Sequence, residues 1–185
     1  MIRNEALGLI QQYVKNGNSI KHMLAAETIM RALARRFGEN EEIWGLTGLL
    51  HDVDMEIADY RNNPEKHGLV GAEMLENAGV DKAIVEAVKA HNPLTGKHPE
   101  TLMEKAIYCA DPLTGLVVAA TLVLPSKKMA ELTSESVLKR FREKSFARGV
   151  NREILLSCSE IGLALEEFVD IGLKAMQAIS GDLGL

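Results

Sequence analysis

Apolar side chains recur at intervals of three and four residues along almost the whole chain, and few segments alternate polar with apolar, the pattern of helices packed on one another. Ala, Leu, Glu, Lys and Met, which suit helix interiors, are correspondingly abundant. The chain therefore reads as all-α. Its 185 residues, 46% of them hydrophobic, suffice for one sizeable core. With no repeats, low-complexity tracts or Gly/Ser-rich linkers, residues 1–185 read as a single domain.

The spacing predicts helices over Asn4 to Lys15, Ser19 to Phe37, Glu41 to His51, Gly68 to Ala78, Asp81 to His91, Thr101 to Leu124 and Asn151 to Ile179, with one or two shorter ones between Thr133 and Ser145. Asn18-Ser19 suits an N-cap, Gly38 and Gly79 suit helix ends, and Pro112 is a kink or break in the sixth helix. Val117 to Leu124 is rich enough in β-branched residues for a strand, yet nothing nearby offers it a partner, so it stays helical. The last helix carries Ile154, Leu155, Ile161, Leu165, Phe168, Val169, Leu173 and Met176, enough to pack on the core with an excess that suits a homo-oligomer contact.

The longest apolar run, Leu116 to Leu124, is nine residues, against the roughly 18 a membrane helix needs. The opening Met1-Ile2-Arg3-Asn4-Glu5 lacks the apolar stretch of a signal peptide, so the expected location is cytoplasmic, away from the membrane. Cys109 and Cys158 have no metal or disulfide spacing and read as reduced, buried thiols. A formal net charge of −5 argues against the uniform basic field of a nucleic-acid binder, although Lys127 to Arg152 holds eight bases against three acids.

Five apolar stripes are interrupted by polar residues that belong in water. His22 shares the face of Ala26, Ile29 and Leu33, while His51 and Asp54 share that of Ile43, Thr47 and Leu50, with Asp52 beside it. His67 heads the series Gly71, Met74, Leu75 and Ala78; His91 closes the series Val80, Ile84, Ala87 and Val88; Asp111 follows Met103, Ile107 and Ala110. One such histidine alone is more often a hydrogen-bonded core residue. Four of the five histidines and two aspartates turned toward one core are most simply neutralised by metal. Imidazole nitrogen and carboxylate oxygen suit iron, manganese, cobalt, nickel or zinc.

His22 in "IKHMLAAETIM", His51-Asp52 in "GLLHDVD", His67 in "HGLVGA", His91 in "VKAHN" and Asp111 in "IYCADPLTG" stand in the order and at separations comparable to those of the HD superfamily of metal-dependent phosphohydrolases, which the chain resembles over most of its length. It is similar to the bacterial HD hydrolases that split diadenosine tetraphosphate symmetrically, and more so to a prokaryotic branch carrying an "HDxD" motif. The resemblance implies an HD-type helical bundle. It further implies that His22, His51, Asp52 and Asp111 hold one divalent ion, that His67 and His91 serve a second, and that Asp52 bridges the two. Val53 and Asp54 replace the Ile-Gly of the common form, and Met55 stands where some members have lysine, so no lysine role carries over.

Two divalent ions against two carboxylates leave a charge of about +2, which attracts a phosphate, and such a pair can activate water for in-line attack on phosphorus. The expected activity is hydrolysis of a phosphate ester or phosphoanhydride in a small nucleotide-like substrate, with Asp52 and Asp54 as catalytic residues. Asp54 reads equally as a partner of a ligand histidine or as an exposed acid at a helix end. Asn92, Lys97 and His98 are further candidates for protonating the leaving group. Lys127, Lys128, Arg140 and Arg142 read as a plain solvated face, as a substrate-phosphate site, or as a surface for an acidic partner, another subunit included. RNA is a weaker partner for them, because only Phe141 and Phe146 offer stacking platforms among these bases. The alternatives are a mononuclear nucleotidase and a non-catalytic nucleotide-binding module with a structural metal.

Overall fold

The computed structural model describes all 185 residues and contains helices, turns and no strands. Ten helices follow in order: α1 Arg3–Tyr13, α2 Gly17–Phe37, α3 Glu41–Leu50, α4 Leu69–Asn77, α5 Lys82–His91, α6 Leu102–Leu122, α7 Ser134–Arg142, α8 Arg152–Leu156, α9 Leu165–Ala178 and α10 Ser180–Leu183. The all-α expectation holds.

The caps explain where the site-bearing helices begin. Asn40 accepts from the amides of Glu42 and Ile43 at the start of α3, and Thr101 and Glu104 form a reciprocal capping box on α6. The cap of α2 is Asn16, two residues ahead of the expected Asn18. Gly38, at φ 72°, closes the other end of α2 in the left-handed conformation that costs glycine least.

Two apolar clusters adjoin α2. The larger gathers Ile29 and Leu33 of α2, Leu113 and Leu116 of α6, and Phe168 of α9. The smaller gathers Ile10, Met23, Leu49, Leu50, Leu75 and Val88 from α1 to α5. Helix α6 packs against α2, α3, α5, α7, α8 and α9, which accounts for its composition. By length and hydropathy alone α6 could cross a membrane, unlike the shorter run read from the sequence, but 56% of that stretch is buried inside the fold. It runs through Pro112 without a break. Cys109 and Cys158 are buried free thiols whose pKa burial raises, as expected of inert core cysteines.

The expected final helix is divided. After α8 comes a 3₁₀ turn over Ser157–Ile161, then Gly162 at φ 76°, and only then α9. Leu155, Cys158 and Ile161 are all buried, a spacing of three that suits a 3₁₀ turn better than an α-helix.

Helices α2 and α3 pack closely at Gly48, where a β-carbon would lie 2.5 Å from the carbonyl oxygen of Ala26 and 2.8 Å from the amide nitrogen of Glu27. Those neighbours are backbone and cannot rotate aside. Gly48→Ala is therefore expected to destabilise the fold by about 3 kcal/mol, the upper end of ordinary overpacking. Thermal unfolding followed by circular dichroism should show a Tm lower by roughly 6–12 °C; an unchanged Tm would refute this packing.

Candidate metal centre

The elements deliver six side chains to one place. His22 comes from the second turn of α2, His51 and Asp52 from the end of α3, His67 from the residue pair before α4, His91 from the last position of α5, and Asp111 from the middle of α6. His51, Asp52, His67 and His91 are at most 4% exposed. The Asp111 side chain is 34% exposed and marks where the cluster opens.

Each imidazole is held by its Nδ1. The Nδ1–H of His51 donates to the Gly48 carbonyl at 2.8 Å, and that of His91 to the Val88 carbonyl at 2.6 Å. Both acceptors belong to the last turn of a helix, where carbonyls lack intrahelical partners. The Nδ1–H of His67 donates to Asp54 Oδ1 at 2.9 Å. Thr114 gives its hydroxyl proton to the Asp111 carbonyl at 2.8 Å, leaving its oxygen to accept from His22 Nδ1 at 2.8 Å. All four Nε2 atoms are thereby turned inward as ligands.

They converge on Asp52. Its Oδ1 lies 3.0 Å from Nε2 of His67, 3.3 Å from that of His51 and 3.4 Å from that of His91, while its Oδ2 lies 3.2 Å from Nε2 of His22. Two ligand sets result, His22–His51–Asp52 and Asp52–His67–His91, with the aspartate common to both. Asp111 Oδ1 joins the first set, 3.1 Å from His22 Nε2 and 3.9 Å from that of His51. The Nε2 atoms of His22 and His51 are 3.1 Å apart, and those of His67 and His91 are 3.0 Å apart. Ligand nitrogens about 2.0–2.1 Å from one ion at tetrahedral angles lie about 3.3 Å apart, so the donor set fits a divalent cation.

Protons take that charge when no cation does. Burial opposes a charge on His22, but hydrogen bonds to Asp111 and Asp52 prevail and raise its pKa to about 10. Burial likewise yields at His67 to hydrogen bonds with Asp52 and Asp54, and its pKa also rises to about 10. Burial lowers His51 to about 4, so it is neutral at pH 7. The imidazoles outweigh burial at Asp52 and hold its carboxyl well below the usual range. Two raised histidines are protonated at neutral pH, and their Nε2 atoms must lose those protons to become ligands. Metal binding at pH 7 should thus release about two protons and weaken as pH falls. Calorimetric titration in two buffers of different ionisation enthalpy counts them, and no release would contradict the arrangement.

Asp54 stands behind His67. It is fully buried, and its Oδ2 accepts from the amides of Gly68 at 2.8 Å and Gly71 at 2.7 Å. A β-carbon at residue 71 would come within 3.0 Å of the Asp54 carboxyl carbon, and Gly68 has φ 87°, so the "HGLVGA" segment is a cradle for this carboxylate. The reading of Asp54 as an exposed acid is thereby corrected. Asn92 donates to the carbonyls of Pro64 and His67 and accepts from the Leu94 amide, which ties two loops together. Lys97 pairs with Glu86 and Glu104, and His98 is exposed. Neither lines the opening above the cluster.

That opening is a cleft of about 640 Å³. Lys127, Lys128, Arg140 and Arg142 do not line it. Lys127, Lys128 and Arg142 are exposed, and Arg140 pairs with Glu143 and lies over the ring of Phe146. What the sequence did not reveal is the far wall, which includes Ala147, Gly149, Val150 and Asn151. Arg152 secures it by donating to the carbonyls of Phe141, Glu143, Phe146 and Val150. Nothing in the spacing signals those contacts. Tyr108, three residues before Asp111 on the same helix, also lines the cleft and was within reach of the periodicity.

The family profile described as "HD domain" matches residues 19–116, more than half of the chain and a span containing all six ligand-type residues. Among curated proteins, Ribonuclease Y of Chloroflexus aurantiacus is 28% identical over 140 residues, covering 74% of this chain and 27% of the relative. The Ribonuclease Y proteins of Sulfurovum sp. and Clostridium perfringens are each 26% identical over 140 residues, with the same coverage. The chain spans about a quarter of the length of these relatives. No solved structure gives a significant match.

Proposed function

This chain belongs to the HD-domain family, and on that premise we propose that it is a metal-dependent phosphohydrolase acting on a phosphate ester or phosphoanhydride of a small nucleotide-like substrate at a dinuclear centre. The observation that carries the reading is the sharing of Asp52 between two sets of inward-facing Nε2 ligands.

Two divalent ions, drawn from iron, manganese, cobalt, nickel and zinc, supply water acidic enough to ionise near neutrality and positive charge for the phosphoryl oxygens. Asp52 would join the two coordination shells. His22, His51 and Asp111 would complete one, and His67 and His91 the other. Gly48, Val88, Thr114 and Asp54 keep the four rings in the required tautomer through the Nδ1 bonds. Asp54 thus acts by positioning His67, and its burial removes it from contact with substrate. Of the cleft residues outside this set, Tyr60 and Tyr108 carry phenolic protons, and burial, aided by Glu160, raises the pKa of Tyr108 and keeps it a donor.

Hydrolysis of an RNA phosphodiester is the second reading, favoured by the name of the relatives. It restores nucleic acid as a substrate class that the acidic net charge argues against. The test is a screen of phosphomonoesters, cyclic nucleotides, dinucleoside polyphosphates and single-stranded RNA with each of the five metals. Metal-dependent turnover of a small phosphate compound supports the first reading, and turnover of RNA alone supports the second. No turnover, with ligand-dependent stabilisation instead, would mean a binding module.

A further inference from the structure

The walls of the cleft carry information that the metal ligands do not. Nineteen residues line it, and none is lysine or arginine; the formal charges among them, histidines aside, are those of Asp52 and Asp111. With two divalent ions bound, attraction for an anion would come mainly from the centre, where about two positive charges would remain after Asp52 and Asp111 are counted, or about one once a hydroxide is bound. The one to two negative charges of a phosphomonoester would balance that charge. Each further phosphate would place negative charge against uncharged lining residues, with no opposite charge among them.

The mouth is apolar. Tyr60 is 46% exposed and Leu94 is 58% exposed, among the most solvent-exposed large apolar side chains of the fold, and both border the cleft. The Tyr60 ring stands edge-on to His67 with centroids 5.1 Å apart, so it is anchored next to the ligand set. Val150 and Ile154, half-buried, continue the apolar surface inward. Lys21 lines a separate groove of about 400 Å³ that shares only His22, Thr114 and Gly115 with the cleft.

We infer that the substrate is a phosphomonoester of an uncharged, ring-bearing alcohol, whose ring rests on Tyr60 and Leu94 while its single phosphate reaches the centre. The inference rests on the phosphohydrolase reading and narrows it, setting aside polyphosphates and RNA.

Steady-state kinetics of the manganese-loaded protein with AMP, ATP, 2-naphthyl phosphate, glycerol 2-phosphate and a short oligoribonucleotide test it. AMP should exceed ATP in kcat/KM by about tenfold or more, the discrimination that a few kcal/mol of mismatched pocket chemistry yields. In Tyr60→Ala and Leu94→Ala, the ratio of kcat/KM for 2-naphthyl phosphate to that for glycerol 2-phosphate should fall about tenfold, chiefly through KM. Both side chains are exposed, so the variants should fold, and a merely structural role would lower both substrates together. ATP or the oligoribonucleotide matching AMP would overturn the inference and leave the phosphohydrolase reading standing, with Lys21's groove as the place to seek the extra phosphates. An unchanged ratio in both variants would also overturn it. Turnover of none of the five compounds would overturn the inference, while the phosphohydrolase reading is decided by the wider screen of substrates and metals.

Discussion

Asp52→Ala is expected to leave a folded protein that retains neither metal nor hydrolytic activity. Asp52 faces all four inward imidazoles, through Oδ1 to His51, His67 and His91 and through Oδ2 to His22. No other carboxylate touches both ligand sets, because Asp111 reaches only His22 and His51. Without Asp52, each set falls to two imidazoles, with Asp111 assisting one of them. The loss should exceed the roughly 10–100-fold in affinity or activity that follows removal of an outer partner. Asp52→Asn keeps the shape and loses the charge, so it should fail in the same way. Metal content after dialysis and kcat/KM on any substrate from the screen are the readouts, with far-UV circular dichroism to show that the helices remain. An Asp52→Ala protein that kept its metal and its rate would remove the keystone of the site.

Asp54→Ala should damage both stability and metal affinity, although Asp54 itself lies outside the cleft lining. Three donors end on its carboxylate: His67 Nδ1 and the amides of Gly68 and Gly71. Each donor left unpaired in the interior costs about 1–3 kcal/mol, so the total should be at least about 3 kcal/mol. That corresponds to a Tm lower by roughly 6 °C or more in a chain of this size. Freed from Asp54, the His67 ring can rotate or exchange tautomer, and affinity for metal should drop about 10–100-fold. Asp54→Asn should recover part of the stability and less of the affinity, since an amide presents a donor of its own to one of the three. Equal metal affinity in wild type and Asp54→Ala would show that His67 needs no such support.

The interrupted stripes made the candidate ligand set legible in the sequence, because an imidazole or carboxylate at a core position has to be compensated, and four histidines with two aspartates point to one compensation. The division of the last helix was less legible. The residues from Asn151 to Ile179 satisfy a helical pattern throughout, yet Leu155, Cys158 and Ile161 turn at an interval of three, and Gly162 takes a left-handed conformation that an α-helix cannot hold. A spacing of three is compatible with both helix types until the packing decides. The role of Asp54 was half visible: its place on the stripe is in the sequence, but its partners are the backbone amides of Gly68 and Gly71, which spacing does not reveal. The place of the basic segment relative to the cleft was illegible for a related reason. Its charge is local in sequence, while the cleft wall nearby is built from Ala147, Gly149 and Val150, held by an arginine whose hydrogen bonds all go to carbonyls.

The number of ions bound tests the account most directly. Protein reconstituted with manganese, cleared of excess and analysed for metal should hold about two ions per chain, the number a two-metal hydrolytic centre requires. Replacing His67 or His91 by alanine should reduce that to about one, and adding His22→Ala to either should remove the remainder. About one ion per chain, unchanged by His67→Ala and His91→Ala, would contradict the paired centre and leave a mononuclear site built on His22, His51, Asp52 and Asp111.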